Sequence, residues 1–297
     1  MAKFILSAFA DEAGDTIEKQ IAALQRNGIG YIEPRAIDKK GVIFKTDEQL
    51  REIRRALLDG GIRVSSIGSP IGKYSIDEPL APHLEDLKRA IHCAHMLDTD
   101  LIRMFSFFVP QDRLAECRNE VMDRLSVMLE MAKAEGITLC HENESKIYGQ
   151  MPAEVADLLS NLPDLAGIFD PANYRMNGAD AAEGIDVTLP SLKYMHVKDA
   201  IYAEQAIVPA GEGEGKIAEA IGKIDRQTDN AVFLSVEPHL RVFSAYASID
   251  EHELKGRHVF NSSDESFDFA VSALKGLLRS EGFVENGPFF SKKSGET

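Results

Sequence analysis

The sequence is poor in several residue types, and each shortage excludes a class of protein. Its 297 residues contain no tryptophan and only three cysteines, and 33 lysines and arginines are outnumbered by 48 aspartates and glutamates. Cys93, Cys117 and Cys140 are too few and too widely spaced for a disulfide framework or a CxxC-type metal site. Such sparse use of cysteine is typical of a reducing compartment, so we predict a cytoplasmic protein.

The charge balance and the short hydrophobic runs argue against two kinds of partner. With a formal charge of −15, the surface should repel phosphate backbones and anionic lipids. No stretch approaches the ~18 uninterrupted apolar residues of a membrane span. The motif Ala8-Phe9-Ala10 imitates a signal-peptide cleavage site, but the apolar run before it is too short for a signal peptide. We therefore expect binding to neither nucleic acid nor membrane.

Short β-rich runs alternate with amphipathic helical segments along almost the whole chain. The predicted strands cover residues 4–9, 29–33, 62–67, 100–108, 137–142, 165–170, 192–196 and 232–237. The predicted helices cover residues 16–27, 47–58, 80–97, 112–135, 152–160, 179–185, 216–226 and 264–280. Eight strand–helix units with a spacing of about 33 residues are typical of a single α/β domain, a closed (β/α)8 TIM barrel. An open doubly wound sheet should carry a phosphate-binding glycine turn after an early strand, and this sequence has none there.

We predict one domain, a barrel over residues 1–280, and a polar C-terminal tail over residues 281–297, of which we expect residues 286–297 to be mobile. The connection 239–262 after the eighth strand is unusually long. It either overhangs the C-terminal face of the barrel, where the active sites of this fold lie, or is a surface excursion. The sequence does not decide between these two interpretations. It also leaves open whether the protein forms a homo-oligomer.

An acidic residue or a histidine ends each of the last four predicted strands: Glu142, Asp170, His196 and Glu237. In a barrel these four side chains would converge on the C-terminal face. An acid at one strand end is more often a helix cap or a solvated loop residue, but four consecutive strands favour a joint site. Three carboxylates brought together would repel one another unless a divalent cation held them. An oxygen-rich set with one imidazole suits Mn²⁺ best, with Mg²⁺, Co²⁺ or Zn²⁺ as alternatives.

The segments around these residues resemble a known family. They are residues 141–143 (HEN), 169–173 (FDPAN), 195–199 (MHVKD), 235–238 (SVEP) and the glycine-rich loop 209–215 (PAGEGEG). Over about residues 4–280 the chain resembles the xylose-isomerase-like TIM-barrel superfamily, which includes sugar isomerases, ketose 3-epimerases, inosose dehydratases and endonuclease-IV-type enzymes. The resemblance places the family's four metal ligands on Glu142, Asp170, His196 and Glu237. Many epimerases of the family have histidine where this chain has Asn173, which can bond a sugar hydroxyl but cannot relay a proton.

The resemblance implies a metal-dependent isomerase or epimerase whose substrate is a small keto sugar or a sugar derivative. The metal would polarise the carbonyl, and Glu142 and Glu237 would remove and return a proton through a metal-stabilised enediolate. Asp170 and His196 would act as ligands only. A lyase on the same site is the main alternative, either inosose dehydratase-like or cleaving 3-keto glycosides. A non-catalytic sugar-binding subunit and an endonuclease-IV-type hydrolase are further alternatives, and the acidic charge argues against the hydrolase.

Five more residues are candidates for substrate binding, and the first is Asn173. Glu33 ends the second strand, and Arg103 lies on the fourth. Lys198 follows the seventh strand, and His239 follows the eighth. Each could bind a hydroxyl or a carboxylate, but a salt bridge inside the acidic barrel mouth is an equally open reading for Arg103 and Lys198.

Overall fold

The computed structural model describes residues 2–242 and 257–292. Within them, fourteen strands are β1 (Lys3–Ala8), β2 (Tyr31–Ile32), β3 (Ala36–Ile37), β4 (Lys40–Gly41), β5 (Arg63–Val64), β6 (Leu101–Met104), β7 (Thr138–Glu142), β8 (Ala166–Phe169), β9 (Leu192–Val197), β10 (Asp199–Ile201), β11 (Ala206–Val208), β12 (Ala231–Val236), β13 (Phe283–Asn286) and β14 (Phe289–Lys292). The α-helices of the same residues are α1 (Ile17–Arg26), α2 (Asp47–Asp59), α3 (Leu80–Leu97), α4 (Leu114–Ala134), α5 (Pro152–Asn161), α6 (Pro171–Met176), α7 (Ala181–Thr188), α8 (Ile217–Gln227) and α9 (Ser263–Ser280).

Eight parallel strands close into the predicted (β/α)8 barrel, so the predicted fold class is confirmed. Neighbouring strands pair in the order β1, β12, β9, β8, β7 and β6, and β2 pairs with β5. Backbone hydrogen bonds close the ring, because the Glu33 amide donates to the Ala8 carbonyl and the Arg103 amide to the Ile67 carbonyl. No helix of the described residues is long and apolar enough to cross a lipid bilayer.

Helix α2 shows how local sequence signals set the helices. Thr46 and Gln49 form a capping box at its N-terminus, which satisfies backbone amides that the first helical turn leaves free. Leu50 and Leu57 are buried on the face that packs against the barrel, at the spacing of an amphipathic helix. Leu58, which the sequence stripe also includes, is 59% exposed because it lies beyond the edge of that face.

The predicted tail is wrong for residues 283–292, which form an antiparallel hairpin of β13 and β14. Strand β14 pairs antiparallel with the start of β1, where Phe290 lies opposite Phe4. Phe283 is buried, and its ring packs edge-on against Phe4 at 5.1 Å. The missed signal is Gly287, which forms the two-residue turn with Pro288 and has a φ of 60°, as a tight hairpin turn with glycine at its first central position requires. Residues 293–297 lie outside the described part of the chain, as do residues 243–256 of the long connection 239–262.

The barrel interior leads directly to the predicted site. A small apolar cluster, separate from the main core, is formed by residues of the barrel strands: Leu101, Cys140, Ala166, Ile168, Tyr194 and the half-buried Phe233. Because side chains on alternate strand positions share a face, Cys140 and Glu142 point to the same side, as do Tyr194 and His196. The site residues therefore lie at the carboxyl end of the barrel interior, next to this apolar cluster.

Candidate metal centre

The four predicted metal ligands lie together in the structure. Glu142 ends β7, Asp170 follows β8, His196 lies in β9 and Glu237 follows β12. All four are buried, and each has one ligand atom within 4.8 Å of those of the others. This arrangement depends on barrel closure, because the four residues belong to four different strand–helix units.

His196 is held between two carboxylates. Its Nδ1 lies 2.9 Å from Glu142 Oε1, and its Nε2 lies 3.2 Å from Glu33 Oε2. Burial disfavours the charged imidazole, but the carboxylates of Glu142 and Glu33 outweigh burial and raise the pKa of His196 to about 10. The ring of Phe9 packs edge-on against the imidazole at 5.1 Å and limits its rotation.

Lys198 lies between two of the carboxylates. Its Nζ is 3.0 Å from Asp170 Oδ2 and 2.8 Å from Glu237 Oε2. Burial raises the pKa of Asp170 to about 7, against the opposing charge of Lys198. Burial also raises the pKa of Glu237, but the charges of Lys198, His239 and Arg35 outweigh burial and hold this pKa well below the usual range. The structure thus contains the salt bridges that were one of the two interpretations of Lys198.

Arg103 forms the corresponding ion pair with Glu142, at 3.3 Å between Nη1 and Oε2. Its guanidinium also lies about 5 Å from the ring centres of Phe9 and Phe105, a favourable cation–π position. Burial raises the pKa of Glu142, but the charges of His196 and Arg103 outweigh it and lower that pKa to about 2. Glu142 is therefore ionised at any physiological pH.

Asn173 forms hydrogen bonds with two of the predicted ligands, Glu142 and Asp170. Its amide donates to the Asn143 carbonyl at 2.8 Å and, more weakly, to Glu142 Oε1 at 3.4 Å. Its backbone amide donates to Asp170 Oδ1, so Asp170 is also the N-cap of helix α6. This helix is absent from the sequence-based prediction, although Asp170 followed by Pro171 is a typical helix start.

The largest feature that the sequence analysis missed is a second charged cluster beside Glu237. Arg35 forms a bidentate ion pair with Asp11 and also contacts Glu12 and Glu237. His239 Nδ1 lies 2.9 Å from Glu12 Oε1. The sequence does carry a signal for this cluster, namely charged residues placed just after strand ends. Asp11 and Glu12 follow β1 and Arg35 follows β2, in the same way that Glu142 ends β7.

The glycine-rich loop between β11 and α8 is built around one carboxylate. Asp199 accepts hydrogen bonds from the backbone amides of Gly211, Gly213 and Gly215, at 3.0, 3.1 and 2.7 Å. A Cβ on Gly213 or Gly215 would overlap Asp199 Oδ1, so glycine is required at both positions. This loop thereby fixes the backbone directly after Lys198 at the rim of the site.

Comparison with known proteins identifies the family. The family described as "Xylose isomerase-like TIM barrel" matches residues 21–253 of the chain. The chain belongs to this family. No curated protein has a sequence that matches the chain.

Several solved structures share the family fold. The probable 3-DHS dehydratase AsbF of Bacillus anthracis, involved in petrobactin synthesis, has a TM-score of 0.68 and 16% identity, over 93% of this chain and 99% of that one. A D-psicose 3-epimerase has a TM-score of 0.66 and 17% identity, over 92% of this chain and 99% of that one. The IolI protein with a bound zinc atom has a TM-score of 0.70 and 12% identity, over 93% of this chain and 99% of that one. At these identities the likeness shows the fold alone.

Proposed function

We propose that this protein is a divalent-metal-dependent isomerase or epimerase that acts on a small keto sugar or a sugar derivative. The observation that carries the proposal is the buried group of Glu142, Asp170, His196 and Glu237, with ligand atoms within 4.8 Å of one another. Family membership supports it, as does the fold shared with a sugar epimerase.

The donor atoms fit a divalent cation. Glu142 Oε2 and Asp170 Oδ2 are buried and accept no hydrogen bond from the described residues, although each lies beside a cation. Three carboxylates and one imidazole form an oxygen-rich set that suits Mn²⁺, our proposed metal, or Mg²⁺, Co²⁺ or Zn²⁺. When bound, the cation would polarise the carbonyl of the substrate and acidify the neighbouring C–H bond.

Glu142 and Glu237 are the residues that we propose move the proton. In the barrel, β7 and β12 are separated by β8 and β9, so the two carboxylates approach the site from different sides. The adjacent cations, Arg103 for Glu142 and Lys198 for Glu237, keep both carboxylates ionised and able to accept a proton. One carboxylate would remove the proton next to the carbonyl and become a carboxylic acid. For inversion of that carbon, the other carboxylate would first take up a proton, which for Glu237 the Lys198 ammonium at 2.8 Å can supply, and would deliver it to the opposite face. For movement of the carbonyl, the new carboxylic acid would return its proton to the neighbouring carbon while the hydroxyl proton passes between the two substrate oxygens.

The remaining candidates have distinct proposed tasks. Glu33, Arg103, Lys198 and His239 lie around the four-residue group and would bind the hydroxyl and carbonyl oxygens of the substrate. Asn173 already donates its amide to Asn143 and Glu142. We therefore propose that Asn173 orients Glu142 rather than binding substrate directly.

A lyase is the second candidate, and Lys198 favours it. Its ammonium lies 2.8 Å from Glu237, so a group that can protonate a leaving hydroxyl stands beside a group that can accept a proton from carbon. The fold shared with the probable 3-DHS dehydratase also supports this reaction. Elimination would need the same four ligands and the same proton acceptor.

Proton exchange in D₂O tests the proposal. Metal-stripped protein is reloaded with Mn²⁺, Mg²⁺, Co²⁺ or Zn²⁺ and incubated with a panel of ketoses and cyclic keto polyols, and the products are read by NMR. Deuterium at the carbon next to the carbonyl, without loss of water, supports the isomerase or epimerase. An unsaturated product identifies the lyase. The matched control is the double variant Asp170→Ala, His196→Ala, which should neither bind metal nor exchange protons.

A further inference from the structure

Glu237 belongs to two groups of potential metal ligands. One is the group of four described above. The other consists of Glu12, Glu237 and His239, which are all buried and have ligand atoms within 4.8 Å of one another. His239 Nδ1 lies 2.9 Å from Glu12 Oε1 and 3.8 Å from Glu237 Oε1. In its residue types and spacing, this second group could hold a second divalent cation, with Glu237 shared between the two ions.

Arg35 already occupies this second group. Its Nη1 donates to Glu237 Oε1 at 2.8 Å and its Nη2 to Glu12 Oε1 at 3.2 Å, and these are the oxygen atoms nearest His239 Nδ1. Asp11 holds the other side of the guanidinium through two hydrogen bonds of 3.0 and 3.1 Å. The ring of Phe9 lies below it at 4.5 Å. The guanidinium is therefore fixed on several sides.

We infer that Arg35 takes the place of a second divalent cation beside Glu237 and so limits the centre to one metal ion. A guanidinium does not lose its proton in proteins, so it cannot vacate the position by deprotonation as an imidazole or a lysine can. A divalent ion bound to Glu12 and Glu237 would stand within a few ångströms of that fixed positive charge, and both would need the same carboxylate oxygens.

The same contacts make Arg35 a positioning residue for the proposed reaction. Arg35 holds Oε1 of Glu237, while Lys198 holds Oε2 on the side of the four-residue group. The carboxylate is thus kept in one orientation, with one oxygen directed to the first group. This inference rests on the proposed function for the ion in the four-residue group. The number of ions bound by Glu12, Glu237 and His239 can be measured independently of that function.

Metal stoichiometry of the full chain tests the inference. Wild-type protein, Arg35→Met and the charge-conserving Arg35→Lys are dialysed against Mn²⁺, and bound metal is measured by mass spectrometry and by calorimetric titration. We expect Arg35→Met to bind one ion more than wild type, and Arg35→Lys to bind the wild-type number. Adding His239→Ala to Arg35→Met should abolish the extra ion, because it removes one of the three ligands.

Each outcome has a defined meaning. Two ions in the wild-type protein at millimolar Mn²⁺, or no gain in a folded Arg35→Met variant, would overturn the inference. A wild-type content of zero with a gain of one in Arg35→Met would overturn the proposed function and still support the role of Arg35. Arg35→Met leaves Asp11, Glu12 and Oε1 of Glu237 without the guanidinium, so this variant should be least stable in chelator and be rescued by Mn²⁺. Failure to fold in Mn²⁺ as well would count against the inference.

Discussion

The side-chain amide of Asn143 pairs with the backbone of Asp170 in both directions. Asn143 Nδ2 donates to the Asp170 carbonyl, and Asn143 Oδ1 accepts from the Asp170 amide, each at 2.9 Å. Both residues are buried. The side chain thus acts like an extra strand residue that joins the ends of β7 and β8. It fixes the backbone from which one proposed metal ligand extends.

We predict that Asn143→Ala weakens metal binding. Partners that orient metal ligands typically contribute about 10- to 100-fold in affinity. Loss of two buried hydrogen bonds should also reduce the free energy of unfolding by about 2 kcal/mol. Titration calorimetry with Mn²⁺ and urea unfolding measure the two effects. Asn161→Ala, at the exposed end of helix α5, is the control, and an Asn143→Ala variant with wild-type affinity would show that Asp170 needs no such support.

The two proposed proton-transfer residues should be sensitive to neutral substitution. Glu142→Gln and Glu237→Gln keep size and remove the charge, so each should slow deuterium exchange by about 10²- to 10⁴-fold. The exchange assay in D₂O measures this loss, and circular dichroism checks the fold. Glu120→Gln, an exposed acid of helix α4 paired with Arg124, should leave exchange unchanged. If Glu237→Gln exchanged protons at the wild-type rate, Glu237 would have no part in proton transfer.

The buried His141 should make the protein less stable in acid. The sequence alternation places it opposite Glu142, and its Nε2 lies 2.9 Å from Ser106 Oγ in the buried layer. Burial lowers the pKa of His141 from 6.5 to about 4. As the pH falls, His141 is therefore protonated in the unfolded chain before it is protonated in the folded protein. Its contribution to the free energy of unfolding is fully present above pH 6.5 and is lost as the pH drops towards 4.

Between pH 7 and pH 4.5 this histidine should cost about 2 kcal/mol of unfolding free energy. Urea unfolding of wild type and His141→Gln at both pH values measures it, because other titrating groups cancel in the comparison. We expect His141→Gln to lose less stability on acidification than wild type. Equal losses in the two proteins would mean that His141 is protonated in the folded state at the lower pH.

Two glycines should respond in opposite directions to the same substitution. Gly213→Ala forces a Cβ into Asp199 and should destabilise the protein by about 1–3 kcal/mol. Gly276 lies in helix α9, and among the described residues no neighbouring side chain comes within 4 Å of the position that a Cβ would take. Gly276→Ala should therefore stabilise the protein by about 0.5–1 kcal/mol. Thermal unfolding checks both, and a neutral Gly213→Ala would show that the loop can move away from Asp199.

Most of the barrel could be predicted from sequence because its helices carry local signals. The predicted helix over residues 80–97 is helix α3 with the same bounds, and that over 47–58 ends one residue short of α2. The hairpin of β13 and β14 was missed because its strands are short, at four residues each, and are stabilised by pairing with β1 from the other end of the chain. Periodicity within one segment carries no information about that partner.

The order of the eight barrel strands and of the eight predicted helices could be read from the amino-acid sequence alone, which also marked Glu142, Asp170, His196 and Glu237 as strand-end residues. Both follow from interactions between near neighbours, namely side-chain periodicity, helix caps and turns. Which cations meet these carboxylates became visible only in the closed barrel. Arg35 reaches Glu237 across 202 residues of sequence, through contacts that exist only once the barrel has closed. Charge pairing at such separations depends on which strand ends become neighbours, and no local pattern encodes it.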